Sequence, residues 1–138
     1  MHKPSKNHPI PVAVYGTLRT GGRLHDFYLH GMTGHRCYIA DHALMRSDVT
    51  FYPFLMQQLG EQAVAEVFWI TDPQVLARMK FMEEQAGYTT EWVSVEDDNH
   101  VVQYDALAFV WKHDTAYGAP LLPVPGNDWM LTQEMEEA

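Results

Sequence analysis

The apolar run of residues 63–70, followed at once by a helix start, is the segment that most constrains the fold. The run is rich in β-branched and aromatic residues, which predicts a β-strand. Asp72 is a capping residue and Pro73 suits a first helical turn, so a helix is expected directly after the strand. Apolar residues then recur at helical spacing until about Glu83 or Glu84. A strand joined this closely to a helix predicts a mixed domain.

The rest of the chain adds strands and one short helix around this unit. Residues 12–15 form a short apolar run that ends at Gly16, where the chain can turn sharply. Residues 89–95 alternate in polarity, and a short turn joins them to a hairpin partner at residues 101–111. The other expected elements are a short helix at residues 23–30, a strand at residues 35–44 and a strand entered through Pro53. The predicted fold class is α+β: a small mixed β-barrel, closed or nearly closed, with flanking helices.

The chain length and the cysteine content limit the class of protein. At 138 residues the chain is the size of one domain, which can bury a core without disulfides or a structural metal. The one cysteine, Cys37, cannot form an intramolecular disulfide, which fits a reducing compartment, and we expect a cytoplasmic protein with Cys37 as a buried, inert thiol. No apolar run of about 18 residues occurs, so no membrane span is expected. The N-terminal residues lack the apolar core of a secretory signal.

The charge distribution excludes one class of partner. The formal net charge is −9, from 18 acidic and 9 basic residues, which argues against nucleic acid because phosphate binding needs a positive surface. Part of the acidity lies in a C-terminal tail, residues 131–138, interpreted as a solvated end; a partner-binding tail is the alternative. With residues 1–11 as an N-terminal extension, the domain itself is predicted to span residues 12–130.

The histidines and methionines do not form a metal-binding pattern. His25, His30, His35 and His42 are spaced by five, five and seven residues, which does not bring them to one helix face. No cysteine or carboxylate spacing completes a zinc pattern, so neither a metal nor another cofactor is expected. The eight methionines are interpreted as core filler.

A series of short motifs matches the order of motifs in one known family. It opens with Tyr15-Gly16-Thr17-Leu18-Arg19, directly after the first predicted strand. The later motifs are Tyr52-Pro53, Glu66-Val67-Phe68-Trp69-Ile70, Met79-Lys80-Phe81-Met82-Glu83 followed by Gly87-Tyr88, Ala108-Phe109-Val110-Trp111, and Gly126-Asn127-Asp128-Trp129. Together they resemble the γ-glutamylcyclotransferase-like family, also called AIG2-like or γ-glutamylamine cyclotransferase-like. The resemblance runs from about residue 12 to residue 130.

The resemblance implies a fold, a reaction and a set of site residues. The fold is a small mixed barrel with flanking helices. The reaction cyclises a γ-glutamyl amine or peptide, whose own α-amine attacks its γ-carbonyl, to 5-oxoproline and a free amine. Glu83 is implied as the general acid/base. The residues implied to contact the substrate are Tyr15, Gly16, Thr17 and Leu18, whose turn offers backbone N–H groups, and Tyr88, which offers a hydroxyl.

Several of these residues have alternative interpretations. Glu84 points about 100° away from Glu83 around a helix, so an error of one residue in the match would exchange them. Tyr15 and Tyr88 could be packing aromatics. Arg19 could hold a substrate carboxylate, but a surface arginine is the favoured interpretation.

The sequence also departs from the family pattern. Lys80 stands where aspartate is usual, Glu84 where glycine is usual, Thr90 where arginine is common, Leu24 where asparagine is common, and Trp111 where tyrosine is frequent. Because polar groups fix a ligand's orientation, these changes leave open a non-catalytic module on the same fold, one that binds a small metabolite or another protein. The substrate and the oligomeric state are also left open.

Overall fold

The computed structural model describes residues 3–131, and its elements follow the predicted order. They are β1 (Ile10–Val14), α1 (His25–Leu29), β2 (His35–Arg46), β3 (Phe54–Ile70), α2 (Pro73–Gln85), β4 (Thr89–Glu96), β5 (Val102–Val110), β6 (Thr115–Ala116), β7 (Ala119–Pro120) and β8 (Leu122–Pro123). β1 begins at Ile10, inside the predicted N-terminal extension. The predicted acidic tail lies outside the described residues, apart from its first residue, Leu131.

A curled six-stranded sheet forms the body of the domain, in the order β1-β3-β5-β4-β2-β8. β3 pairs antiparallel with all of β1 on one side and with β2 on the other, while β4 and β5 form the predicted hairpin. Three narrow seams bring the sheet back on itself: Val12 pairs with Leu107 between β1 and β5, Leu55 pairs with Val110 between β3 and β5, and two residue pairs join β2 to β4. The α+β class is confirmed, but with seams this narrow the sheet is curled and is not a strict barrel.

The longest strand joins two segments that the sequence suggested separately. Residues 54–56 of the first segment and residues 63–70 belong to the single 17-residue strand β3, which Pro53 immediately precedes. At Asp41 the register of β2 against β3 shifts, and Asp41 and Gly60 both have positive φ angles, of 57° and 86°. The Asp41 carboxylate accepts a hydrogen bond from the Gly60 N–H at 3.0 Å. This irregularity lets a long hairpin bend, as bulges do.

α2 packs on the outside of the sheet, where its cap and its apolar residues hold it. The Asp72 side chain accepts a hydrogen bond from the Gln74 N–H at 2.8 Å, as predicted for a capping residue. Leu76 and Met79 are the buried residues of the helix. The helix ends at Gln85, so its last turn carries both candidate glutamates.

Two further predictions concern the cysteine and the absence of a membrane span. Cys37 is buried, as predicted, and burial in the first place raises the pKa of its thiol to about 12, so the thiol stays protonated at neutral pH. Across residues 3–131, no helix has the length and the apolar character needed to cross a membrane.

Candidate active site

A cavity of about 200 Å³ lies between the turn after β1, the start of β3 and the end of α2. All six residues that the family resemblance singled out line this cavity: Tyr15, Gly16, Thr17, Leu18, Glu83 and Tyr88. They come from segments about 70 residues apart in the chain, and the curled sheet brings them together.

The turn after β1 lines the cavity with residues 15–18. The Gly16 carbonyl accepts a hydrogen bond from Arg19 N–H at 3.0 Å, and the Thr17 carbonyl accepts one from Leu24 N–H at 2.9 Å, so the turn is fixed from within. Among the hydrogen bonds of residues 3–131, none is donated by the N–H groups of Gly16, Thr17 or Leu18. Free N–H groups at a fixed turn are suited to bind an anionic or carbonyl oxygen.

Arg19 is a buried residue, and the prediction of a surface arginine is wrong. Only 7% of the residue is exposed. Its Nε lies 3.3 Å from Glu66 Oε1, and its Nη1 lies 2.7 Å from Asp128 Oδ1. Because both carboxylates already occupy the guanidinium, Arg19 supports the turn from behind and is not offered to a ligand.

Glu83 projects from the last turn of α2 and lines the cavity, whereas its neighbour Glu84 does not. Glu84 is exposed and accepts a hydrogen bond from Thr90 Oγ1 at 3.1 Å. This geometry decides which of the two glutamates faces the cavity. Glu84 and Thr90 are two of the departures from the family pattern, and they contact each other on the outer surface.

The surroundings of Glu83 disfavour its charged form. Burial raises the pKa of its carboxyl from 4.5 to about 7. The Tyr88 N–H donates to the Glu83 backbone carbonyl at 3.1 Å, which ties the helix end to the start of β4. A carboxyl group on a rigid helix end whose pKa lies near 7 is suited to exchange protons at neutral pH.

Tyrosine hydroxyls form the wall around Glu83, and their protons point away from any ligand. The Tyr15 hydroxyl donates to the Phe109 carbonyl at 2.5 Å, and the Tyr88 hydroxyl donates to the Pro53 carbonyl at 2.6 Å. A carbonyl can only accept, so the remaining capacity of each phenol oxygen is as an acceptor. Burial in the first place, and then the nearby Glu83 charge among other causes, raises the pKa of both phenols.

Sequence reasoning missed a pair of hydrogen-bonded tyrosine hydroxyls at the cavity. The Tyr52 hydroxyl lies 3.1 Å from the Tyr117 hydroxyl, which donates to the Ala86 carbonyl at 2.7 Å. Tyr52 lines the cavity, and its place beside Pro53 in a family motif was the available signal. Tyr117 lies after the last long strand, where no local pattern pointed to the site.

Two further residues that line the cavity were not among the predicted site residues. Arg23 lines the cavity and is exposed, and Leu24 lines it beside Arg23. Leu24 was noted as a departure from the family pattern, and Arg23 was not singled out. Trp111, another departure, packs behind the site, with its ring centroid 5.1 Å from that of Tyr88.

Within residues 3–131, no three side chains of the histidine, cysteine, aspartate and glutamate types lie in an arrangement that could hold a metal ion. The lining of the cavity comprises one carboxyl group, the exposed guanidinium of Arg23, several hydroxyl oxygens and the backbone of the turn at Gly16.

Comparisons with known proteins agree with this architecture. The chain matches the family described as gamma-glutamyl cyclotransferase, AIG2-like, over residues 12–131. No curated protein matches it. The uncharacterized protein PH0828 from Pyrococcus horikoshii is similar in structure, with a TM-score of 0.69, 22% identity, and coverage of 93% of this chain and 96% of that one.

Two other solved structures carry the family's name. An AIG2-like protein from Mus musculus has a TM-score of 0.62 and 17% identity, covering 75% of this chain and 77% of that one. A gamma-glutamyl cyclotransferase has a TM-score of 0.63 and 13% identity, covering 93% of this chain and 79% of that one. At these identities the structural similarity establishes a shared fold.

Proposed function

This chain belongs to the AIG2-like gamma-glutamyl cyclotransferase family, and from that premise we propose that it cyclises a γ-glutamyl amine or γ-glutamyl peptide to 5-oxoproline and a free amine. The observation that carries the proposal is the position of Glu83, whose carboxyl group is desolvated in a cavity that residues 16–18 also line, and the N–H groups of that turn donate no hydrogen bond within residues 3–131.

The distribution of donors and acceptors in the cavity supports this choice of substrate. A γ-glutamyl group carries an α-amine, which donates hydrogen bonds, and carbonyl and carboxylate oxygens, which accept them. Around Glu83 the phenol oxygens of Tyr15 and Tyr88 have only acceptor capacity left, which suits an amine. The turn of residues 16–18 offers donors, which suit the oxygens.

The proposed reaction needs no nucleophile from the protein. Glu83, as a carboxylate, takes a proton from the α-ammonium, and the amine nitrogen then attacks the γ-carbonyl carbon to form the new C–N bond. Negative charge develops on the γ-carbonyl oxygen, where a backbone N–H of the turn stabilises it. The original amide C–N bond breaks as Glu83 gives the proton it holds to the leaving nitrogen. Glu83 then passes the second proton of the ring nitrogen to the released amine, which departs as an ammonium ion. The products are 5-oxoproline and the amine, and no water is consumed.

Two contributions to the rate follow from this arrangement. General acid–base catalysis of this kind is worth about 10²- to 10⁴-fold. The rest comes from holding the α-amine against the γ-carbonyl, which makes ring closure probable once the flexible glutamyl chain is bound in a folded form.

The test is the formation of 5-oxoproline from a panel of γ-glutamyl amines and γ-glutamyl peptides. Glu83→Gln keeps the size of the side chain and removes its basicity, so kcat is expected to fall by at least about 100-fold. Glu84→Gln is the matched control, because Glu84 lies next to Glu83 but bonds Thr90 outside the cavity. Its activity is expected to stay within about twofold of the parent, as for a surface change.

The outcomes separate the enzyme from its alternative. Turnover that survives Glu83→Gln would remove Glu83 as the base. No 5-oxoproline from any member of the panel, together with measurable binding of γ-glutamyl compounds, would favour the non-catalytic metabolite-binding module on the same fold.

A further inference from the structure

The cavity carries one positive charge as well as one carboxyl group. Among its lining residues within the described part of the chain, the charged side chains are those of Glu83 and Arg23. Arg23 is exposed, which places it at the open side of the cavity. A substrate held with its α-amine at Glu83 would have its other end, the leaving amine, nearer this opening.

The guanidinium of Arg23 is available to a ligand. Among residues 3–131, it has no carboxylate within ion-pair distance, whereas Arg19 has two. The positive charge of Arg23 also acts on the cavity wall. Burial is the largest cause that raises the pKa of the Tyr52 phenol, and the charge of Arg23 opposes that rise. An unpaired arginine next to a hydroxyl is suited to bind a carboxylate.

The net charge of the whole protein makes a cation at the cavity opening important for binding an anionic ligand. With a formal net charge of −9, the protein repels anionic ligands in general. A cation at the cavity opening counters that repulsion locally, where a substrate must enter.

The wall beside Arg23 is apolar. Leu24 and Met82 line the cavity, and Met82 also lines an adjoining groove with Phe27 and Phe81. Phe27 is 71% exposed and Phe81 is 68% exposed, so the groove, which Arg78 also lines, offers apolar surface that Met82 joins to the cavity. An apolar side chain on the leaving amine would cover part of this surface.

We propose that Arg23 determines the specificity for the leaving amine by pairing with a carboxylate on it, so that the site prefers γ-glutamyl conjugates of apolar amino acids. This inference rests on the proposed function. It assigns a role to a residue outside the implied catalytic set and names the chemical class of the amine: an apolar side chain next to a carboxylate.

The experiment compares two substrates that differ in a single group. γ-Glutamyl-leucine and γ-glutamyl-isopentylamine are identical except for the carboxylate on the leaving amine. The parent protein is expected to show a kcat/KM for the leucine conjugate about fivefold above that for the amine conjugate, as fits a partly exposed ion pair. This preference is expected to shrink when the salt concentration rises from about 0.05 M to about 0.5 M.

Variants of two arginines assign the preference. Arg23→Gln is expected to remove it by lowering kcat/KM for γ-glutamyl-leucine alone, and Arg23→Lys to keep part of it. Arg36→Gln is the matched control, because it removes the same charge from an arginine that pairs with Asp98, in the turn between β4 and β5 at the far end of β4 from Tyr88. Arg36→Gln is expected to leave the preference unchanged.

Two results would overturn the inference. One is equal kcat/KM for the two substrates in the parent protein. The other is an equal loss for both substrates in Arg23→Gln, which would mean that Arg23 holds the α-carboxylate of the glutamyl group, common to both.

Failure of the proposed function would look different, because neither substrate would give 5-oxoproline. In that case the two conjugates are compared by their dissociation constants for the Glu83→Gln protein, measured by calorimetry. The same fivefold preference and its loss on adding Arg23→Gln are expected there, as for turnover. Equal dissociation constants would overturn the inference independently of catalysis.

Discussion

Pro53 lies so close to Gly16 that a Cβ atom at position 16 would come within 2.6 Å of both Cγ and Cδ of the proline ring. Gly16 does not have a positive φ angle, so space and not backbone strain requires glycine here. The carbonyl of the same proline accepts the Tyr88 hydroxyl proton at 2.6 Å. One contact therefore joins the turn after β1 to the start of β3 and, through Pro53, to the hydroxyl wall of the cavity.

Gly16→Ala is expected to destabilise the protein and to disturb the cavity. A proline ring is rigid, so the clash can be relieved only by moving backbone, and such overpacking costs about 1–3 kcal/mol. Urea unfolding measures this loss, and kcat/KM for a γ-glutamyl substrate is expected to fall with it because Pro53 also holds Tyr88.

The double variant Gly16→Ala with Pro53→Ala is the control for a steric cause. Removing the ring gives the new methyl group room, so the two changes are expected to cost less together than the sum of their separate effects. Strictly additive losses, or a Gly16→Ala protein as stable as the parent, would contradict the steric account.

Elements with a strong local pattern could be predicted from the sequence. The capping residue Asp72 and the spacing of apolar residues gave α2, and alternation gave the β4–β5 hairpin. The continuity of β3 could not be predicted, because it depends on Asp41 and Gly60 adopting positive φ angles and contacting each other across 19 residues. The narrow seam between Val12 and Leu107 is likewise set by the closing of the whole sheet.

The residues of the site likewise fall into two groups: those that a local motif marks and those that only distant contacts place. The turn of residues 15–18 and Glu83 belong to contiguous motifs, so the sequence pointed to them. The burial of Arg19 could not be read from its neighbours, because its partners Glu66 and Asp128 are 47 and 109 residues away. Tyr117 reaches the site through a bond to Ala86, 31 residues away, and no motif marks it.

Removing Arg19 is expected to cost more than removing any surface arginine. In Arg19→Ala the carboxylates of Glu66 and Asp128 lose their shared cation while both stay largely buried, and breaking a buried pair in this way costs about 3–5 kcal/mol. Urea unfolding of Arg19→Ala measures the loss. Arg36→Gln is the control, since its exposed pair with Asp98 is worth at most about 1 kcal/mol. Equal effects of the two variants would show that the Arg19 network does not stabilise the fold.

The activity is expected to depend on the ionisation of Glu83. The base must be a carboxylate to take the amine's proton, and burial raises its pKa to about 7. The value of kcat/KM for γ-glutamyl-leucine should therefore fall about tenfold per pH unit on the acid side of that pKa and level off above it. A pH–rate profile over that range measures this limb. A profile whose acid limb lies near the ordinary glutamate pKa of 4.5 would contradict the assignment, because it would describe a solvated carboxyl group.

The raised pKa of Glu83 also predicts a loss of stability with rising pH. Below pH 4.5 the group is protonated in both the folded and the unfolded chain, so it costs nothing. Between pH 4.5 and about pH 7 the unfolded chain releases the proton while the folded protein retains it, so the free energy of unfolding falls as pH rises. At about 1.4 kcal/mol per pH unit, the full loss is at most about 3.5 kcal/mol, reached above the folded pKa.

Glu83→Gln removes the titrating group and should remove this loss. The variant is expected to match the parent in stability at about pH 4 and to exceed it by up to about 3.5 kcal/mol at about pH 8, measured by urea unfolding at both pH values. Glu84→Gln, at an exposed position, is expected to follow the parent at both pH values. Parallel stability curves for the parent and Glu83→Gln would mean that the cavity does not disfavour a charge at Glu83. The same protein would then lack the desolvated base that the proposed cyclisation requires, so this measurement tests the catalytic proposal without any substrate.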